Sequence, residues 1–228
     1  MRDPAGAGRA ETGDTDAALG IAVLPDDESV DDSEPECEPA VRLWDRWLAK
    51  VVSAVASPPV LIGGMTVMQA SILAGQNRWL WTSVYLSIAG LAPLAYLVYL
   101  VRHGEVGDLY LRRRRQRIKP QLVTVGCFSA GWAVLQFGGG PAPMTALAAA
   151  LLLQAAAVLG ITLRWKISVH CATAAGAGVV VWGLFGALAP SIIAVLLVAW
   201  SRVRLRHHTP AQAAAGLALG FALFRLVL

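Results

Sequence analysis

The chain has 228 residues, 56% of them hydrophobic and only 15% charged, with a mean hydropathy of +0.57. A soluble domain carries about 25% charged residues, so this composition argues against a soluble enzyme and for a membrane-embedded protein. The charge is split: residues 1–40 hold twelve acids against two bases (net −10), and residues 41–228 hold seventeen bases against three acids (net +14). The three acids of the body are Asp45, Glu105 and Asp108, too few for paired-carboxylate chemistry or an all-oxygen metal cage.

Residues 1–40 are rich in Asp, Glu, Gly and Pro and cannot bury enough apolar surface to offset ordering entropy, which predicts a disordered acidic tail. The apolar patch 17–24 is too short, and too acidic on its N-terminal side, for a signal peptide. Residues 41–52 place Trp44, Trp47, Leu48 and Val51 at helical spacing, with Arg42, Asp45, Arg46 and Lys50 elsewhere. That pattern suits an interfacial amphipathic helix anchored by tryptophan. A membrane domain then fills 53–228, with apolar runs at 53–73, 79–101, 121–137, 144–163, 170–189, 191–205 and 210–228. About 20 residues cross the hydrocarbon, so the fold class is all-α, a polytopic transmembrane helical bundle of six to seven spans. Gly216 and Gly220, with Ala174 and Gly178 as a looser pair, suit close helix packing and make a homo-oligomer a partner to consider. Gln69, Gln136 and Gln154 lie within spans as interhelical hydrogen-bond partners. Cys37, Cys127 and Cys171 are scattered, with neither disulfide nor metal spacing.

With seven spans and a cytoplasmic N-terminus, the basic groups at 42–50, 112–119, 164–166 and 202–206 fall on one side. The positive-inside rule makes that side cytoplasmic; the expected setting is the cell (plasma) membrane, as a multi-pass protein. Bases gathered at bilayer edges argue for the bilayer as partner and against nucleic acid, despite a pI near 9.3.

Three polar clusters reach this same face: Arg112 to Lys119 with Pro120; Lys166, Ser168 and His170; and Ser201, Arg202, Arg204, Arg206, His207, His208 and Gln212. Ionisable residues at membrane level default to function. Bases, two histidines and a serine with almost no acid describe an anion site. Guanidinium groups grip phosphate oxygens bidentately, and Ser168 would start a helix whose first amides face the anion. The bland readings are real: the arginine run also serves as a topology signal, His170 as a helix-end residue, and one of His207 and His208 as a solvated neighbour.

In order, the chain reads Arg112-x6-Lys119-Pro120, then Ile167-Ser168-Val169-His170, then Ser201-Arg202-x5-His208-x3-Gln212. Over roughly 55–228 it resembles the type 2 phosphatidic acid phosphatase superfamily, membrane phosphatases of lipid phosphates and isoprenoid pyrophosphates. That family's pattern is Lys-x6-Arg-Pro, Pro-Ser-Gly-His and Ser-Arg-x5-His-x3-Asp. The resemblance implies that His208 is the nucleophile that forms a phosphohistidine. It implies that His170 is the general acid, and that Arg112, Lys119, Ser168 and Arg202 hold the phosphoryl oxygens. It implies no metal and no other cofactor, and a lipid phosphate as substrate.

The departures bear on mechanism. Arg112 and Lys119 exchange the family's two bases, which alters bidentate geometry. Ile167 and Val169 replace Pro and Gly, and valine disfavours the positive φ open to glycine. Gln212 replaces the aspartate that would orient the nucleophile: it still accepts a hydrogen bond but is neutral. Asp108 is a second, weaker candidate for that carboxylate. The sequence therefore leaves two alternative readings of function. One is a membrane phosphatase acting through a phosphohistidine; the other is a weak or silent relative that binds anionic headgroups or serves as a scaffold.

Overall fold

The computed structural model describes residues 41–75, 77–103 and 114–228. The acidic tail, Cys37, Glu105, Asp108 and Arg112 lie outside the described residues. Among the described residues every regular element is a helix: α1 Val41–Val55, α2 Pro58–Ile72, α3 Arg78–Tyr85, a π-helical segment Leu86–Leu91, α4 Ala92–Arg102, α5 Arg114–Gly138, α6 Ala142–Thr162, α7 Val169–Phe185, α8 Leu188–Arg204 and α9 Pro210–Val227.

Proline explains two irregularities. Pro58 and Pro59 open α2; neither ring nitrogen can donate to a preceding turn, so the chain breaks there and the axes of α1 and α2 bend by 50°. Pro93 likewise removes a donor from the first turn of α4. Just before it the backbone widens into a π turn, closed by the Ala92 N–H on the Ser87 carbonyl. α3, the π segment and α4 thus run on as one rod, Arg78–Arg102.

By length and apolarity three helices can cross a membrane: Arg78–Arg102, Ala142–Thr162 and Pro210–Val227. The bent pair formed by α1 and α2 makes a fourth if it counts as one span. α7 is apolar but has only 17 residues, about 25 Å at 1.5 Å per residue, the lower edge of a crossing. α8 is equally short and ends in Arg202 and Arg204.

α7 is the hub, packed on α2, α8 and α9. Its contact with α9 depends on absent side chains. A Cβ at Gly216 would fall 2.6 Å from the Ser168 carbonyl oxygen, and one at Gly220 would overlap the carbonyl of Ala172. The glycine pair read as a packing motif is therefore used inside the chain, and it no longer argues for a homo-oligomer. Gly178 does the same towards α8, where a Cβ would sit 3.0 Å from Val195 Cγ2. The main core joins Met65, Tyr85, Phe128, Leu135, Leu147, Leu151, Val180 and Phe224 across six elements. Gln154 donates to Thr173 Oγ1 at 3.1 Å and ties α6 to α7, the interhelical role expected of it.

Candidate anion site at one end of α7, α8 and α9

Short connections bring three helix ends together. Gly186, in the left-handed region at φ 66, closes α7 and lets α8 turn back. Residues 205–209 then return the chain into α9, so the start of α7, the end of α8 and the start of α9 share one end of the bundle.

α8 stops in a Schellman motif. The His207 N–H bonds the Arg202 carbonyl at 3.1 Å and the Arg206 N–H bonds that of Val203 at 2.9 Å. The C′ position requires left-handed backbone, and Arg206 occupies it at φ 54, the only described non-glycine residue with positive φ. This costs about 1 kcal/mol relative to glycine. It turns the chain so that His208 meets the start of α9.

α9 begins in a capping box. Thr209 Oγ1 accepts from the Gln212 N–H at 3.3 Å, and Gln212 Oε1 accepts from the Thr209 N–H at 3.2 Å. The same Oε1 lies 3.2 Å from His208 Nδ1. Because the oxygen already faces an N–H donor, the amide orientation is set, and Nδ1 must donate to it. A neutral His208 therefore carries its proton on Nδ1 and its lone pair on Nε2. His208 and Gln212 are 6% and 8% exposed. Gln212 thus does two jobs, helix cap and imidazole orienter. The Thr209-x-x-Gln212 capping signature is legible in the sequence itself.

The Gln212 carbonyl also accepts from the Ser168 N–H at 3.4 Å, which joins α9 to the start of α7. Ser168, fully buried, is the N-cap of α7: its Oγ accepts from the Cys171 N–H at 3.3 Å. A hydroxyl used as acceptor still has its proton to donate. Ile167 and Val169 cause no strain here. Val169 is the first helical residue of α7, with no positive φ required. Ile167 packs with Val158 and Ala172, against Ile161 and Leu219. His170 follows in the first turn of α7, half-buried.

Arg202 is 2% exposed and donates from Nη1 to Ser53 Oγ of α1 at 2.6 Å. Ser201, by contrast, turns back on its own helix, bonding the Val198 carbonyl at 2.7 Å. Arg204 is held by Asp45 of α1 through two hydrogen bonds, Nε to Oδ2 at 3.0 Å and Nη2 to Oδ1 at 2.9 Å.

Ser168, His208 and Gln212 are therefore linked by hydrogen bonds in one buried polar group, and Arg202, also buried, is tied by its side-chain bond to Ser53 of α1. Lys119 stands exposed on α5, which packs on α3, the π segment, α4 and α6; the packing does not place it in that cluster. Ser53, Asp45 and Thr209 were missed from the sequence. Asp45 had a signal, being one of three acids in the body, whereas nothing distinguishes Ser53 from other span serines. α1 carries Asp45 and Ser53; it buries Ala49 and Ser53, a stripe continued by Ala56 just past its end, while Trp44 and Trp47 are 62% and 65% exposed. That exposure fits the expected tryptophan anchor, on the opposite side from the helix's docking face. Among the described residues, no group of three or more His, Cys, Asp or Glu side chains could hold a metal ion.

No protein-family model matches the chain, and neither a curated protein nor a solved structure matches it.

Proposed function

We propose that the chain is a membrane phosphatase that hydrolyses a lipid phosphate or isoprenyl (pyro)phosphate through a phosphohistidine. The observation that carries this reading is the buried pairing of His208 Nδ1 with Gln212 Oε1, with the Gln212 carbonyl bonded to the Ser168 N–H. It puts the imidazole lone pair on Nε2, the form a nucleophile needs. In this reading Nε2 attacks phosphorus, the ester P–O bond breaks, and His170 gives its proton to the leaving oxygen. Water then attacks the phosphohistidine with His170 as base, which yields the alcohol, inorganic phosphate and the original histidines. In this reading Arg202 neutralises the phosphoryl oxygens, and the Ser168 hydroxyl donates to one of them. The proposed setting is a plasma-membrane bundle of six to seven crossings, in which α5, α7 and α8 also cross and the site faces the cytoplasm. Phosphate release from a panel of lipid phosphates, with and without EDTA and in His208→Ala, tests the reading.

A second reading is favoured by Gln212 itself. An amide accepts the Nδ1 hydrogen bond but adds no charge to stabilise the imidazolium formed on attack. A weak or silent relative that binds anionic headgroups would keep this arrangement. It predicts lipid-phosphate binding without turnover, and turnover gained in Gln212→Asp.

A further inference from the structure

Towards the end of the bundle away from His208 and Gln212, α7, α8 and α9 enclose an apolar groove of about 310 Å³, the size of a small-ligand site. Its walls are α7 from Ala175 to Trp182, α8 from Leu188 to Leu196 and α9 from Leu217 to Phe221. Ser191 is the one hydroxyl in these walls, and it is spent on its own helix, donating to the Ala187 carbonyl at 2.7 Å. Leu188, Leu196 and Phe221 are exposed, so the groove opens onto the surroundings. One turn beyond Phe221 on α9 stands Arg225, exposed, with its guanidinium over the Trp182 ring at 5.0 Å from the centroid. Residues 171–201 and 209–224 hold no charged side chain, so Arg225 is the only charged side chain that these three helices carry at this end.

We propose that this groove holds one acyl chain of an anionic phospholipid whose headgroup phosphate pairs with Arg225. Charge complementarity selects the occupant: a single cation at the mouth of an uncharged groove fits a molecule with an anion at one end of a long apolar chain. A bilayer supplies that molecule. An arginine at bilayer level is costly and commonly escapes by snorkelling, yet the Arg225 guanidinium lies on a wall of the groove. Stacking on Trp182 uses its flat face and leaves the N–H donors in its plane, the fork that grips phosphate oxygens. The chain gains little from the groove by itself, because lipid tails are as apolar as leucine. The Arg225 contact therefore sets the affinity, and the groove sets the position. The site is remote from His208 and takes a phosphodiester, so it stands whether or not the protein is a phosphatase.

The test is native mass spectrometry of the full-length protein in detergent, with phosphatidylglycerol, phosphatidylcholine and phosphatidic acid added separately. The parent is expected to bind a first phosphatidylglycerol about tenfold more tightly than phosphatidylcholine, whose cationic choline opposes Arg225. Arg225→Gln removes that preference, and Arg225→Lys keeps most of it because the charge stays. Ala218→Leu and Leu196→Trp fill the groove from α9 and α8, at exposed positions. Each lowers phosphatidylglycerol affinity about tenfold, since the chain no longer seats with its phosphate at Arg225. Two fillings on different helices keep the test decisive if one of them fails to fold. A parent without the preference, or an Arg225→Gln variant that retains it, overturns the proposal. Loss of the preference in Arg225→Gln while both fillings bind as the parent does describes a snorkelling arginine with no groove, and overturns it too. Fillings that weaken phosphatidic acid and leave phosphatidylglycerol unchanged assign the groove to a substrate's chain, which contradicts the proposal as well.

Discussion

Adding one methyl group at Gly220 should separate α7 from α9 and disable the site without touching any of its side chains. The new Cβ would overlap the Ala172 carbonyl oxygen and lie 2.8 Å from its carbon and 2.9 Å from its Cα. These are backbone atoms in the first turn of α7, so no rotamer change relieves the contact and the helices must part. Glycine-to-alanine changes inside helices ordinarily gain about 0.5–1 kcal/mol; overpacking costs about 1–3 kcal/mol, and more where backbone moves. With backbone as the obstacle the cost sits at the upper end, so a net loss of about 2 kcal/mol follows, or about 4–8 °C in Tm for a chain of this size. Gly160→Ala is the control, with nothing within 4 Å of its new Cβ, and should raise Tm by a degree or more, about 1–3 °C. Because the Gln212 carbonyl reaches Ser168 at only 3.4 Å, parting the helices also breaks the tie between the two halves of the site. Phosphate affinity should fall in Gly220→Ala and hold in Gly160→Ala. Thermal unfolding in detergent decides it: if Gly220→Ala matches Gly160→Ala, the close approach of α7 and α9 is wrong.

Substitutions at three further positions probe separate parts of the account. Arg206→Gly, in the left-handed position that ends α8, should stabilise by about 1 kcal/mol; a lower Tm would mean that the Schellman turn is not formed. Tyr85→Phe removes a buried hydroxyl with no hydrogen-bond partner among the described residues. It should stabilise by about 1 kcal/mol, and a clear loss of stability would reveal a partner for that oxygen. Gln212→Asp keeps an acceptor for both His208 Nδ1 and the Thr209 N–H and adds a charge, so turnover should rise about tenfold or more, whereas Gln212→Leu should lose the α9 cap and turnover together. Measured kcat that is insensitive to both changes would sever Gln212 from the nucleophile.

Helix positions were legible because long apolar runs and their polar breaks are strong signals: the runs at 79–101, 144–163 and 210–228 correspond closely to Arg78–Arg102, Ala142–Thr162 and α9. The number of crossings was less so. The run at 53–73 was read through Pro58 and Pro59, where missing donors bend the chain. The 191–205 run carries its arginines into the last turn of α8. Polar residues of the site that are close in sequence were also legible, such as His208 with Gln212, four residues apart at a helix start. Long-range partners were not: Ser53 lies 149 positions from Arg202 and Asp45 159 from Arg204. The docking of α1 on α8 brings them together, and the tryptophans of α1, its strongest sequence signal, mark the opposite face.

The central claim is that His208, oriented by Gln212, takes the phosphoryl group. Incubation with phosphatidic acid labelled at phosphorus, a rapid quench, and a search for acid-labile, base-stable label on the protein test it most directly. The account predicts such label on the parent and on His207→Ala, and none on His208→Ala. Label that survives in His208→Ala, or that never forms on parent or Gln212→Asp protein, would contradict it.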